Sequence, residues 1–152
     1  MTGKKYFEIP VSDKIASAPL IPTQKYRVTF WCKYADPIIL KFINGGGTQI
    51  ITPSYSTTIN GWKFYDVTVE NVTKIEIAKY ANVPKVIIDE VRLFPVNSQM
   101  VTYTFDPLIG MTSQCDPNNR IVYYEYDGLQ RLKLVKDQYG NVVKTYEYNY
   151  KQ

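Results

Sequence analysis

The strongest constraint on this chain is a repeat of an aromatic residue followed by Asp or Asn. Phe105-Asp106, Tyr126-Asp127 and Tyr148-Asn149 are 21 and 22 residues apart, and a second series, Asp116 and Asp137, is also 21 apart. Such a period marks an array whose small units bury their apolar surface by stacking on neighbours. Each unit reads as a β-hairpin. In Asp137-Gln-Tyr-Gly140 the Asp side chain can accept a turn amide, while Gly140 can take the left-handed conformation that closes a loop followed by a bulge. Asp116-Pro-Asn-Asn119 puts Asn at the matching position, the next best residue at positive φ. Asp106, Asp116, Asp127 and Asp137 are therefore expected to be turn formers, with Gly140 as their structural partner. Strands are expected over Ile121–Tyr126 and Val142–Tyr150, with Val122, Tyr124 and Tyr126 on one face, and Tyr146, Tyr148 and Tyr150 likewise. The expected product is a tyrosine-faced β strip.

Upstream of the repeat, strand signals are dense and helix signals nearly absent. In Tyr26-Arg-Val-Thr-Phe-Trp-Cys-Lys-Tyr34 the residues Tyr26, Val28, Phe30, Cys32 and Tyr34 form an apolar face. That face belongs to the core, so Trp31 points outward with Arg27, Thr29 and Lys33. Further strands are expected at 37–44, 49–53, Trp62–Val69, Lys74–Lys79 and Val86–Pro95, separated by Asn44-Gly-Gly-Gly47 and Asn60-Gly61. Short strands at this spacing read as a sandwich or barrel. The 14 Tyr against 6 Phe agree, because rings with one wet edge suit half-buried strands and contact surfaces. After Phe94-Pro-Val-Asn-Ser98 the composition shifts, which puts a boundary near residue 97 and divides the chain into a β-sandwich, 1–97, and a repeat segment, 98–152.

Several function classes are excluded by composition. The 18 basic and 14 acidic residues are dispersed, with no basic stripe, so nucleic acid is not an expected partner. No run approaches the ~20 apolar residues that span a bilayer, and the first residues lack the apolar stretch of a signal peptide, so no membrane insertion is expected. With no His, a His-based triad and the common His-containing zinc sites are ruled out, and no metal or other cofactor is expected. Cys32 and Cys115, 83 positions apart, read as free thiols. A carboxylate pair for glycoside hydrolysis is the remaining catalytic route, but the repeated Asp residues are needed by their turns. Asn44-Gly-Gly-Gly-Thr48 lacks the helix and Lys-Ser/Thr ending of a phosphate loop and reads as a hairpin loop. The chain is not expected to be an enzyme.

Tyr126-Asp-Gly-Leu-Gln-Arg-Leu132, Val135-Lys-Asp-Gln-Tyr-Gly140 and Tyr146-Glu-Tyr-Asn149 resemble the YD repeats of the RHS family over about residues 101 to 150, with Gln130 standing where that family usually has Gly. In that family many such strips wind into a hollow shell around a toxin or form adhesive surface proteins. Two repeats close no shell. The preceding part, through Lys25-Tyr-Arg-Val-Thr-Phe-Trp31, Gly61-Trp-Lys-Phe-Tyr65 and Ile88-Asp-Glu-Val-Arg-Leu-Phe-Pro95, resembles the galactose-binding-like jelly rolls of the carbohydrate-binding-module type found ahead of such repeats in Bacteroidetes proteins. Thr2-Gly-Lys-Lys-Tyr6 looks like a segment normally inside such a domain, so the chain reads as a fragment.

The resemblance implies an all-β fold: a jelly-roll β-sandwich followed by antiparallel YD-repeat hairpins, at the cell surface or outside the cell. It implies a structural or interaction module whose partner is the remainder of its own larger chain or a neighbouring β-edge. The alternative is a carbohydrate-binding module that holds a glycan on exposed aromatics, with Trp31 as leading contact and Tyr34 or Trp62 as helpers; for Trp31 and Trp62, packing is the competing role. Asp89 shares a face with Val91 and Leu93, so it is expected to be satisfied by amides or solvent, or by a structural calcium of the kind related jelly rolls hold.

Overall fold

The computed structural model describes residues 6–9, 14–33, 38–79 and 85–149. Among them the chain is all-β, with fourteen strands in three sheets, every pairing antiparallel, and no helix. The described residues divide into two compact units, 6–99 and 100–149.

The first unit holds nine strands: β1 (Phe7–Glu8), β2 (Ile15–Ala16), β3 (Tyr26–Lys33), β4 (Ile38–Asn44), β5 (Gly47–Ile51), β6 (Tyr55–Ile59), β7 (Trp62–Val69), β8 (Lys74–Lys79) and β9 (Ile87–Pro95). They form one sheet in the order β1-β9-β3-β7-β6 and another in the order β2-β8-β4-β5. Both sheets feed one apolar core. Val28, Phe30 and Cys32 of β3 and Tyr65 of β7 join Leu40 and Phe42 of β4 and Ile75 and Ile77 of β8. This is a sandwich-like arrangement, and each such side chain taken out of water contributes roughly 1.5–3 kcal/mol. Phe30 and Tyr65, cross-strand partners, stack with centroids 4.9 Å apart.

The alternation of β3 sets which residues enter that core, but it does not set what happens on the opposite face. Trp31 lies opposite the core, as its parity requires, yet it is buried at 2% exposure, with the Phe64 ring tilted against it at 5.0 Å. The indole thus points away from the core, as expected, but is covered there and not exposed. Strand β9 corrects the expected placing of Asp89. The register runs Thr29↔Arg92 and then Trp31↔Asp89, so Glu90 and Val91 together face Phe30 in a bulge where Glu90 has φ 52°. The extra residue reverses the parity: Ile88 enters the core and Asp89 lies opposite Trp31 on the other face. Its Oδ1 accepts the Glu90 N–H at 2.9 Å.

The short β1 and β2 and the Ser/Thr-rich β6 were not expected as strands. Strand β6 runs into β7 through Asn60 and Gly61, both at positive φ, the two-residue turn that matches strand twist.

The second unit is a five-stranded meander: β10 (Thr102–Asp106), β11 (Gly110–Cys115), β12 (Ile121–Tyr126), β13 (Leu132–Asp137) and β14 (Val142–Thr145). Strand β14 stops at Thr145 rather than running to Tyr150, and Tyr150 lies outside the described residues. Three register shifts, near Phe105, Tyr126 and Lys136, bend the sheet at related places.

Candidate interaction edge

Three of the four Asp turns share one geometry. At Asp116, Asp127 and Asp137 the backbone N–H bonds the carbonyl four residues on, and the Asp carbonyl accepts the N–H three residues on. Each Asp Oδ1 also accepts two amides: Asn118 and Arg120, Leu129 and Arg131, Tyr139 and Asn141, all at 2.8–3.0 Å. The closing residue is left-handed, with φ 61° at Asn119, 62° at Gln130 and 92° at Gly140. This is the three-residue hairpin loop with a bulge. Asp106 differs in detail: its Oδ1 accepts Leu108 N–H at 3.1 Å and the positive φ falls on Gly110. The Arg131 guanidinium, with backbone amides, holds the Asp127 carboxyl below its ordinary pKa. Asn141 does the same for Asp137.

The units are also tied by tyrosine hydroxyls. Tyr126 Oη donates to the Met111 carbonyl at 2.7 Å, and Tyr148 Oη donates to the Leu132 carbonyl at 2.9 Å. Arg131 links successive units, because its Nε bonds Asp127 Oδ2 at 2.8 Å while its guanidinium lies 4.4 Å from the Tyr148 ring centre. By the same 22-residue offset, Thr145 corresponds to Tyr123, and residues 146–148 correspond to 124–126.

That correspondence exposes an asymmetry. In β12, Tyr123 pairs backward with Ser113 of β11, whereas Tyr124, Glu125 and Tyr126 pair only forward, with Val135, Leu134 and Leu132 of β13. In the last unit Thr145 pairs backward with Leu134, and Tyr146 N–H bonds Lys133 O at 2.8 Å. Residues 146–148 have no forward strand among the described residues and are not assigned as strand. Glu125 forms an ion pair with Lys136 at 2.6 Å, while its counterpart Glu147 is exposed and has no ion pair among the described residues. All four residues of β14 are exposed, including Val142 and Val143. An edge of this kind presents unpaired backbone groups to another strand.

Trp31 is buried, as described above, and Trp62 is half-buried with Lys33 Nζ 5.9 Å from its ring centre. Tyr34, the third candidate, lies outside the described residues. Cys32 and Cys115 are buried and form no disulfide. Among the described residues no three His, Cys, Asp or Glu side chains gather where a metal could sit, and no helix is long and apolar enough to cross a membrane. An open hollow in the first unit is lined by Ile21, Thr23, Gln24, Lys25, Val96 and Asn97, without a carboxylate. Sequence reasoning missed Arg131 and Glu147 as members of the edge; aligning 125 with 147 by the repeat would have found the second. No family model matches this chain, and no curated protein sequence matches it.

Proposed function

We propose that this chain is a non-catalytic structural and interaction module of a larger secreted or cell-surface bacterial protein of the RHS type. In this reading a jelly-roll sandwich of the carbohydrate-binding-module kind caps or displays an array of YD-repeat hairpins, and the partner is the remainder of the same chain or a neighbouring β-edge. The observation that carries it is the half-paired last strand. Residues 146–148 repeat the sequence of 124–126 but, among the described residues, lack the forward strand with which 124–126 pair. A unit that must stack on a neighbour has this form at its edge. The Asp carboxylates support the same reading, since those of Asp116, Asp127 and Asp137 each bind two amides of their own turn and so serve the backbone.

The test is to place a second copy of residues 128–149 directly after Asn149, which continues the register. The copy is expected to fold onto the edge and raise the unfolding midpoint of the strip by several degrees, because repeat arrays gain stability from each nearest-neighbour interface. A copy that remains unfolded and leaves the midpoint unchanged would contradict the proposal.

A further inference from the structure

The meander alternates two kinds of strand. Strands β10 and β12 end at the aromatic residue of such a pair or just after it and β14 runs toward the third, whereas β11 and β13 follow the turns and set an apolar residue opposite that aromatic, Met111 against Phe105 and Leu132 against Tyr126. With five strands in sequential order, both edges, β10 and β14, are of the tyrosine kind. We infer that the free edge after β14 selects a strand of the β13 kind: antiparallel, with a Leu opposite Tyr148, an aliphatic residue opposite Tyr146, and a Lys or Arg placed to reach Glu147. This rests on the proposed reading of the strip as part of an array, and it specifies the occupant of that edge.

Each element of the specification comes from an existing pair. Tyr126 faces Leu132, Tyr124 faces Val135, and Glu125 bonds Lys136 across the β12–β13 ladder. Shifted by 22, these are Tyr148, Tyr146 and Glu147. Charge complementarity therefore favours a cation-bearing strand. A second copy of this chain docked head to tail through β10 does not supply it. Strands β10 and β14 run in the same direction, because four antiparallel steps separate them, so a head-to-tail copy would set β10 parallel to β14. Every pairing within the strip is antiparallel. Such a copy would also set Thr104, the counterpart of Glu125 in β10, on a strand with no cation.

The direction of the backbone groups is fixed as well. Tyr146 N–H points to β13, so Thr145 N–H, one residue earlier, points away from it toward the free edge. That amide reports occupancy directly.

The experiment adds two synthetic peptides separately to the full chain, one of residues 131–141 and one of residues 121–127, and follows amide exchange at Thr145 and Glu147 by NMR. The 131–141 peptide is expected to protect both amides and the 121–127 peptide to leave them exchanging. Glu147→Lys should weaken the first peptide roughly two- to five-fold, the range of an exposed ion pair, and a peptide carrying Lys136→Glu should restore it. Equal protection by the 121–127 peptide, or protection that rises with chain concentration as a dimer forms, would overturn the inference while leaving the open-edge reading intact. If neither peptide protects Thr145 and the appended copy of residues 128–149 also stays unfolded, both readings fall.

Discussion

Gln130 occupies a backbone conformation that costs an L side chain about 1–2 kcal/mol, since at φ 62° its Cβ crowds the following carbonyl. Gly140 holds the matching place at no such cost. Gln130→Gly is therefore expected to stabilise the strip by about 1 kcal/mol, less the chain entropy that glycine adds, and Gln130→Val to destabilise it; equilibrium urea unfolding reads both. The neighbouring Asp127 makes the strip sensitive to acid, as does Asp137. The Asp127 carboxyl titrates below the ordinary value, chiefly because Arg131 bonds the charged form. The stabilisation is thus complete above the unfolded-chain pKa of about 4 and is lost as pH falls through the folded value. Asp127→Asn, which keeps an acceptor oxygen for the turn amides, should flatten the loss of stability below about pH 4; an unchanged acid profile would count against this assignment. At Trp31 the burial against Phe64 decides the outcome. Trp31→Ala should cost about 3–5 kcal/mol, as large-to-small changes at buried aromatics do, whereas an exposed glycan platform would lose almost no stability.

Strand β14 separates the two sides of an edge by one residue. Lys144 and Val135 are a hydrogen-bonded pair by alternation from the Tyr146–Lys133 bond, so Lys144→Pro removes a ladder bond, worth about 1 kcal/mol. Thr145→Pro removes only an outward donor and should leave the unfolding midpoint nearly unchanged. Equal destabilisation by the two would contradict the register. The same locality explains which elements could be read from sequence. Strand β3 was legible because Tyr26, Val28, Phe30 and Cys32 alternate with Arg27, Thr29 and Lys33, and the Asp-x-x-Gly turn because Asp and Gly each meet a separate backbone need. Strand β6 was not, since Tyr55-Ser-Thr-Thr-Ile59 is exposed at its first four positions and shows no alternation. The bulge in β9 was invisible because Glu carries no signal for φ 52°, and one inserted residue reversed the expected placing of Asp89. Tyr146-Glu-Tyr148 has strand composition yet is not strand, because strand identity there depends on a partner that local sequence cannot supply.

At the scale of the whole chain, a sandwich-like unit with an apolar core accompanies a five-stranded meander whose last strand is exposed throughout. In the proposed reading a repeat sheet gains stability from neighbours along the array, which is why the edge is the functional feature of the module. Covering of the Trp31 face could not be read from β3 alone, because parity gives a side chain's direction and says nothing of its neighbours. The central claim, that the edge after β14 is built to receive the next strand of an array, is tested most directly by residue-resolved amide exchange. The Thr145 N–H should exchange rapidly in the chain as it stands and become protected, together with that of Glu147, when a further copy of residues 128–149 follows Asn149. Protection of Thr145 already present in the unextended chain at low concentration, or none gained in the extended one, would contradict the account.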